Sequence, residues 1–411
     1  MSKAAAYPVF RLAALLALVA ACAPAPAAPG PGPEPAGTYK IGWLTDVAGP
    51  ARDLYYTNYE GAKLYFQDLN DRGGINGRKV EILLEDVGTD PQKAATAAAR
   101  LIQAGVLLIG GLTTEGSQPP VYEAARRAGI PVVTGHSARP DMFPPADPLL
   151  FTVGNVFEID ADARAEMVAR VFPQGGMVAC YVHDAPAKAA VCDRFLDGVR
   201  DLGFRRGPHV NAPVATADFG PYVRPVVENP VDLFAIITIP AHAQGVAAAA
   251  ANLGYRGPFL FQMTASTEYV IERIVKQTGR RDVYVVSSKV SIYEDNVPEV
   301  RRVIETAKKY GSETPPSSSM IEGWILAMAI EQGLSRCGWP CQPQELAKAL
   351  SNLRLDTRGL MGGPLEWTAT DHVGRRYYTA YRWDFDRNRL VRIVDGWPVV
   401  VDPANPKKPI K

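Results

Sequence analysis

Five histidines, His136, His183, His209, His242 and His372, are the residues best suited to acid–base or zinc chemistry, and their spacing supports neither. No two stand in HxH or HExxH register, so a catalytic zinc has no scaffold. His136-Ser137, with Asp141 close behind, has the residue types of a nucleophilic set, but sequence neighbours seldom reach triad geometry and no G-x-S-x-G elbow is present. Gly73, Gly74 and Gly77 serve a turn before a strand; no strand–GxGxxG–helix surrounds them, so they are not a nucleotide loop. The chain therefore offers no set for enzymatic chemistry and reads as having no cofactor and no metal. His136 reads as a pocket wall or polar contact. His183-Asp184 ends a strand and reads either as a contact or as a hydrogen-bonded loop.

The five cysteines carry different chemistry. Lys3 and Arg11 lead into the apolar run Leu12–Ala21, which is too short to span a bilayer, so residues 1–21 read as a secretory signal. The ending Val19-Ala20-Ala21-Cys22 resembles the lipobox of bacterial lipoproteins, in which the thiol is diacylated and the chain is cut just before it. The alternative is an ordinary signal peptide cleaved nearby. Either way the folded part works outside the cytoplasm, in the periplasm. Residues 22–37, alternating Pro with small residues, cannot bury apolar surface and form a tether. Cys180, Cys192, Cys337 and Cys341 remain, an even number consistent with two disulfides after export. Cys337 and Cys341 bracket Gly-Trp-Pro in a tight loop after a helix; Cys180 falls in a strand and Cys192 on the next helix. A zinc site of all four is the competing arrangement and lacks close CxxC spacing.

Losing the signal removes Lys3 and Arg11 and no acid, which takes the net charge from +1 to −1. A near-neutral chain without basic clusters argues against nucleic acid as a partner.

The elements that must position any site alternate strand and helix. Apolar runs at Tyr39–Thr45, Lys79–Leu84, Val106–Ile109 and Pro131–Thr134 are separated by helical patterns over Asn58–Leu69, Asp90–Ala104 and Pro119–Ala128. A second series follows. Strands Met177–Val182, Leu233–Ile237, Pro258–Phe261 and Val283–Val286 are interleaved with helices Asp160–Val171, Lys188–Leu202, Pro240–Leu253 and Thr267–Gln277. Such alternation predicts parallel sheets covered on both faces, in two α/β lobes. Helices over Val297–Tyr310, Ser317–Leu334 and Pro343–Leu350 come next, then a β-hairpin at Tyr377–Trp383 and Arg389–Val394.

Several stretches resemble the substrate-binding proteins of branched-chain amino-acid-type ABC importers: TDVAGP (45–50), EGAKLYFQDLNDRGGINGRKVEILLEDVGTDPQKA (60–94), GIPVVT (129–134) and DHVGRRYYTAYRWD (371–384). The resemblance covers Thr38–Trp397. It implies a type I periplasmic-binding-protein fold, two Rossmann-like lobes joined by three crossovers that close on ligand by a hinge. It places the crossovers near Val153–Val156, Ser287–Val290 and Gly362–Pro364. The first lobe is then 38–154 with 287–363, the second 155–286 with 364–397, and 398–411 a tail. It further implies a small-molecule ligand, a membrane permease as partner, a membrane attachment through the N-terminal lipid, and a monomer.

Ligands of open α/β sheets lie beyond the carboxyl ends of the strands. Here those ends carry Asp46–Tyr55, Gly111–Gly116, Gly135–Ala138, His183–Lys188, Thr238–His242 and Gln262–Ser266. In the amino-acid binders of the family, first-lobe hydroxyls and backbone N–H groups hold the α-carboxylate, while a tyrosine and a carboxylate of the second lobe help hold the α-ammonium. Matched to this chain, the carboxylate-binding serine falls on Thr114, beside Thr113 and Glu115. The next anchor loop becomes His136, Ser137 and Ala138, with the family's threonine falling on Ala138. The tyrosine falls on Ile239 and the glutamate on Thr264, with Met263 before it. Leu54, Tyr55 and Asp184 complete the expected lining.

A buried ammonium without an acidic partner is costly. The expected ligand therefore has an apolar body, lacks an α-ammonium, and is held at one end by Thr114 and Ser137. Glu115 offers a replacement acid, and a match displaced by one residue would restore an ordinary amino-acid site. A carrier of an apolar lipid or sterol between membranes is the alternative function; a ligand sensor is less favoured, as the chain has no signalling segment.

Overall fold

The computed structural model describes residues 37–111, 114, 116–135, 146–154, 157–184, 186–262, 267–374 and 377–398. Strands buried on both faces pair side by side and return through helices, because a parallel neighbour cannot be reached by a tight turn. β1 (Tyr39–Thr45), β2 (Val80–Asp86), β3 (Ile109–Gly111), β4 (Val132–Thr134) and β5 (Leu150–Thr152) form the first sheet, all parallel, in the order β2-β1-β3-β4-β5. α1 (Arg52–Asp71), α2 (Pro91–Gln103) and α3 (Gln118–Ala128) make the returns. α2 starts where its sequence says it should: the Asp90 carboxylate accepts from Gln92 N at 2.8 Å and Lys93 N at 3.2 Å, with Pro91 in the first turn.

The second sheet holds β6 (Met177–His183), β7 (Arg205–Ala212), β8 (Leu233–Ile236), β9 (Phe259–Gln262) and β10 (Val283–Ser287) in parallel. The antiparallel pair β13 (Tyr377–Asp384) and β14 (Arg389–Pro398) completes it, in the order β14-β13-β10-β9-β8-β6-β7. Its helices are α4 (Phe157–Val171), α5 (Pro186–Asp201), α6 (Gly220–Glu228), α7 (Pro240–Asn252) and α8 (Glu268–Thr278). Between β10 and β13 the chain returns to the first lobe as α9 (Pro298–Tyr310), α10 (Ser318–Cys337), α11 (Pro343–Leu350) and the small pair β11 (Arg354–Leu355) and β12 (Leu365–Glu366).

Five elements escape the sequence pattern, two of them the two-residue strands β11 and β12. β7, RRGPHVNA, carries Gly and Pro, and it is an edge strand, the one place where proline does not break a ladder on both sides. α6 contains Pro225, which reads as a breaker. β5 is only three residues long.

Two boundaries also move. α1 begins at Arg52, so Leu54 and Tyr55 stand on its first turns and not in a loop. The third crossover lies later than Gly362–Pro364. Leu365 and Trp367 still pack in the first-lobe core, the Trp367 indole donates to the Thr152 carbonyl at 3.0 Å, and Gly374 N donates to the same oxygen at 2.9 Å. The chain joins the second sheet only at Tyr377.

Disulfides join Cys180 on β6 to Cys192 on α5, and Cys337 at the end of α10 to Cys341, with Cα separations of 5.9 and 5.6 Å.

α1 and α10 touch backbone to backbone. A Cβ at Gly323 would lie 1.7 Å from the Asn58 carbonyl oxygen, and one at Gly61 would lie 2.0 Å from that of Met320. Backbone cannot swing aside as a side chain can, so Gly323→Ala must push the helices apart. The expected cost is about 2–3 kcal/mol, read as a lower denaturation midpoint in urea. A midpoint equal to that of the parent would refute the close contact.

Candidate ligand-binding cleft

Each sheet has a point where neighbouring strands send their helices to opposite faces. After β1 the chain turns to α1 and after β3 to α3, which pack in different cores. β6 and β8 do the same with α5 and α7. In open α/β sheets ligands bind at such points, beyond the strand ends where the loops part.

On the first lobe the β1–α1 turn is built around Asp46, fully buried. Its Oδ1 accepts from Gly49 N at 2.5 Å and its Oδ2 from Ala51 N at 3.0 Å. A Cβ on residue 49 would lie 2.6 Å from Oδ1, so a side chain there would push the carboxylate off its two N–H donors. The turn delivers Ala51, Leu54 and Tyr55 to one spot, where they meet Ile239 at the start of α7; all four are at least nine-tenths buried and form one apolar cluster shared by the two lobes.

Polar contacts flank this cluster. The Tyr269 hydroxyl on α8 donates to the Asp53 carbonyl at 2.8 Å, which leaves it to accept from the Thr57 hydroxyl at 3.2 Å. Burial pushes the Tyr269 phenol up to about 12, so it is a donor at neutral pH. Arg273 Nη2 donates to Asp53 Oδ2 at 2.5 Å, and Ser319 Oγ donates to the Leu54 carbonyl at 2.6 Å.

Thr114 is half-buried beyond β3. Its hydroxyl shares a hydrogen bond of 3.0 Å with Ser117 Oγ, and its carbonyl accepts from Ser117 N at 2.9 Å, so it is held against the start of α3. Asp184 is exposed just past β6, and its N–H is spent on the Ala212 carbonyl. Thr113, Glu115, His136, Ser137, Ala138, Met263 and Thr264 lie outside the described residues, as does Cys22.

The described histidines have structural partners. His242 is pinned in one tautomer: Nε2–H donates to the Val214 carbonyl at 2.9 Å and Nδ1 accepts from the Tyr181 hydroxyl at 2.9 Å, while burial lowers its pKa. His183 Nδ1 meets the Thr238 hydroxyl at 3.0 Å, His209 meets Asp193 at 3.0 Å, and His372 Nδ1 donates to the Leu150 carbonyl at 2.8 Å. Among the described residues no cluster of three His, Cys, Asp or Glu could hold a metal, and no helix is long and apolar enough to cross a membrane.

Sequence reasoning missed the contacts of Asp53, Tyr269 and Arg273, because nothing in the chain marks which exposed-looking residues will face the other lobe. It also missed Trp43 and Asn58, which read as strand and helix interior; the only local signal was the unusual Gly110-Gly111 at the end of a strand.

Among proteins of known sequence, the chain is 20% identical over 86% of its length to the leucine-, isoleucine-, valine-, threonine- and alanine-binding protein of Pseudomonas aeruginosa, covering 92% of that protein. Among solved structures it is similar to an R. palustris ABC-transporter solute-binding protein in complex with benzoate (TM-score 0.76, 18% identity, covering 90% of this chain and 99% of that one). A fatty acid ABC transporter substrate-binding protein from Thermomonospora curvata is comparable (TM-score 0.75, 18% identity, 88% and 92%). At such identities the likeness speaks to fold. The family model described as periplasmic binding protein matches residues 38–388. With its two largely parallel sheets, the chain belongs to the periplasmic binding protein family, whose members carry solutes and are not enzymes.

Proposed function

We propose that this is the exported, lipid-anchored substrate-binding protein of an ABC importer, and that its ligand is a small carboxylate with an apolar body and no α-ammonium. The observation that carries this reading is Ile239, packed on Ala51, Leu54 and Tyr55 where the family's tyrosine is expected. Among the described residues, acids on the elements that build the cluster and its flanks are already engaged. Asp46 is spent on Gly49 and Ala51, Asp53 on Arg273, and Glu268 accepts from Ser291, Ile292 and Ser318. An ammonium brought there would be desolvated without a partner. The reading is supported by one structural relative solved in complex with benzoate and another named for fatty acids.

Capture would occur in the open crevice. Closure brings α8 and the start of α7 onto the start of α1, and the closed monomer docks on a permease. The Ala/Pro tether keeps it near the membrane its partner occupies.

Isothermal titration with benzoate, decanoate and leucine tests the ligand class. Benzoate or decanoate should bind, with leucine about 100-fold weaker for want of an ammonium partner. Leucine binding more tightly than both carboxylates would overturn the reading. A second reading, a lipid carrier of the envelope, shares the apolar cluster as its support; binding of a sterol with no binding of either carboxylate would favour it.

A further inference from the structure

We propose that the Trp43 indole N–H donates to the polar end of the bound ligand, which makes Trp43 a specificity-determining residue of the first lobe. This rests on the crevice between β1 and β3 being the ligand site, and it names the group at its floor that reads the ligand.

Trp43 is fully buried on β1, and its ring lies across the last two residues of β3. A Cβ on Gly110 would come within 2.8 Å of the ring's Cε3, and one on Gly111 within 2.8 Å of Nε1. The Gly110-Gly111 pair is thus the complement of the indole. Gly111 has a φ of +104°, ends β3 and begins the loop to Thr114. The N–H edge of the ring is therefore delivered to the strand ends at the point where the β1 and β3 loops part.

There it meets no acceptor among the described residues. Nε1 is buried and has no hydrogen-bond partner among the described residues. The other tryptophans of the same core are paired: Trp324 Nε1 donates to Glu299 at 2.9 Å and Trp367 Nε1 to the Thr152 carbonyl at 3.0 Å. Buried indole N–H groups ordinarily find a partner; among the described residues Trp43 and Trp383 both lack one, and Trp383 lies beside the start of β10, away from the carboxyl ends of the strands where Trp43 stands.

Two neighbours share the condition. Thr45 points to the same face of β1 two residues on, and its buried hydroxyl has no partner among the described residues. Asn58, on the α1 helix that packs over β1, has neither amide atom bonded among the described residues. An indole N–H, a hydroxyl and an amide together offer several donors and no formal charge. That set suits the oxygens of a carboxylate, and the indole N–H opposes an ammonium.

The test uses the full mature chain labelled with 15N-tryptophan. Trp43→Phe assigns the Trp43 indole resonance among those of the six tryptophans, and benzoate, decanoate and leucine are titrated into the wild type. The expected result is that the carboxylate that binds moves the Trp43 indole resonance more than any other, and that Trp43→Phe, folded by circular dichroism, binds it about 10- to 100-fold more weakly. An unmoved resonance in wild type on saturation overturns the proposal, whatever Trp43→Phe does to folding. An unchanged affinity in a folded Trp43→Phe overturns it equally. If leucine alone binds and shifts Trp43, the carboxylate reading of the previous section falls while Trp43 stands. If none of the three probes binds, both fall.

Discussion

Replacing Lys289 by methionine should cost about 3–5 kcal/mol of stability, among the largest effects of any single substitution in this chain. Lys289 lies just past β10 on the second crossover, and its Nζ pairs with the Glu322 carboxylate on α10. Both side chains are wholly removed from solvent. Dehydrating two charges is expensive, and only their mutual attraction and hydrogen bonds offset it; taking away one leaves the other buried and uncompensated. The pair spans from the crossover to the first lobe, so its loss loosens the point about which the lobes would swing.

The size of the effect does not mean that the pair is itself strongly stabilising. Lys289→Met combined with Glu322→Leu should therefore recover most of the loss, since both dehydration costs vanish together. Guanidinium denaturation of the two single variants and the double variant reads this directly. A double variant no more stable than Lys289→Met alone would show that the penalty comes from packing and not from the stranded charge.

Glu268→Ala is expected to be nearly as severe, at about 3 kcal/mol or more. Glu268 is the first residue of α8 and is almost completely buried. Its Oε1 accepts from Ser291 Oγ at 3.0 Å and Ile292 N at 2.8 Å, and its Oε2 accepts from Ser318 N at 2.8 Å. One carboxylate thus ties the second lobe to the second crossover and to the N-terminus of α10, where a negative group is favoured by the helix dipole. Alanine strands all three donors, each at about 1–3 kcal/mol when buried.

Glu268→Gln separates acceptor geometry from charge. Its amide oxygen can keep Ser291 and Ile292, but its NH2 would confront the Ser318 N–H, donor against donor, so an intermediate loss is expected. Hydrogen exchange localises the effect: the Ser318 amide should exchange faster in both variants, and the Ile292 amide mainly in Glu268→Ala. Exchange at both amides unchanged in Glu268→Ala would contradict the clamp.

These two residues also mark the limit of what can be read from a chain. Lys289 and Glu268 look like ordinary surface charges in sequence, since nothing local says that a lysine after a strand and a glutamate opening a helix will be sealed inside. Their burial follows from the return of α9 and α10 to the first lobe. That is a long-range event carried by contacts between residues far apart in sequence.

The cleft divides in the same way. Asp90-Pro91, the short apolar strands, the GGINGR turn and the terminal hairpin are local signals, because capping, pairing and turn formation are decided within a few residues. They suffice for parallel sheets in two lobes, for the order of most elements, and for the expectation that Ile239 and Leu54 line an apolar site. Ile239 is apolar in any conformation, so its chemistry could be judged before its position was known.

What tertiary structure alone decided is which residues meet. It set Ile239 against Ala51, Leu54 and Tyr55, spent Asp46 and Asp53 on neighbours, exposed Asp184, and moved the third crossover past Gly374. It also laid Trp43 across Gly110 and Gly111 with its N–H unpaired among the described residues. Residue type and local spacing determine which element a segment forms and how polar it is. Whether a polar atom ends up satisfied depends on partners brought from elsewhere in the chain, and only the folded arrangement supplies or withholds them.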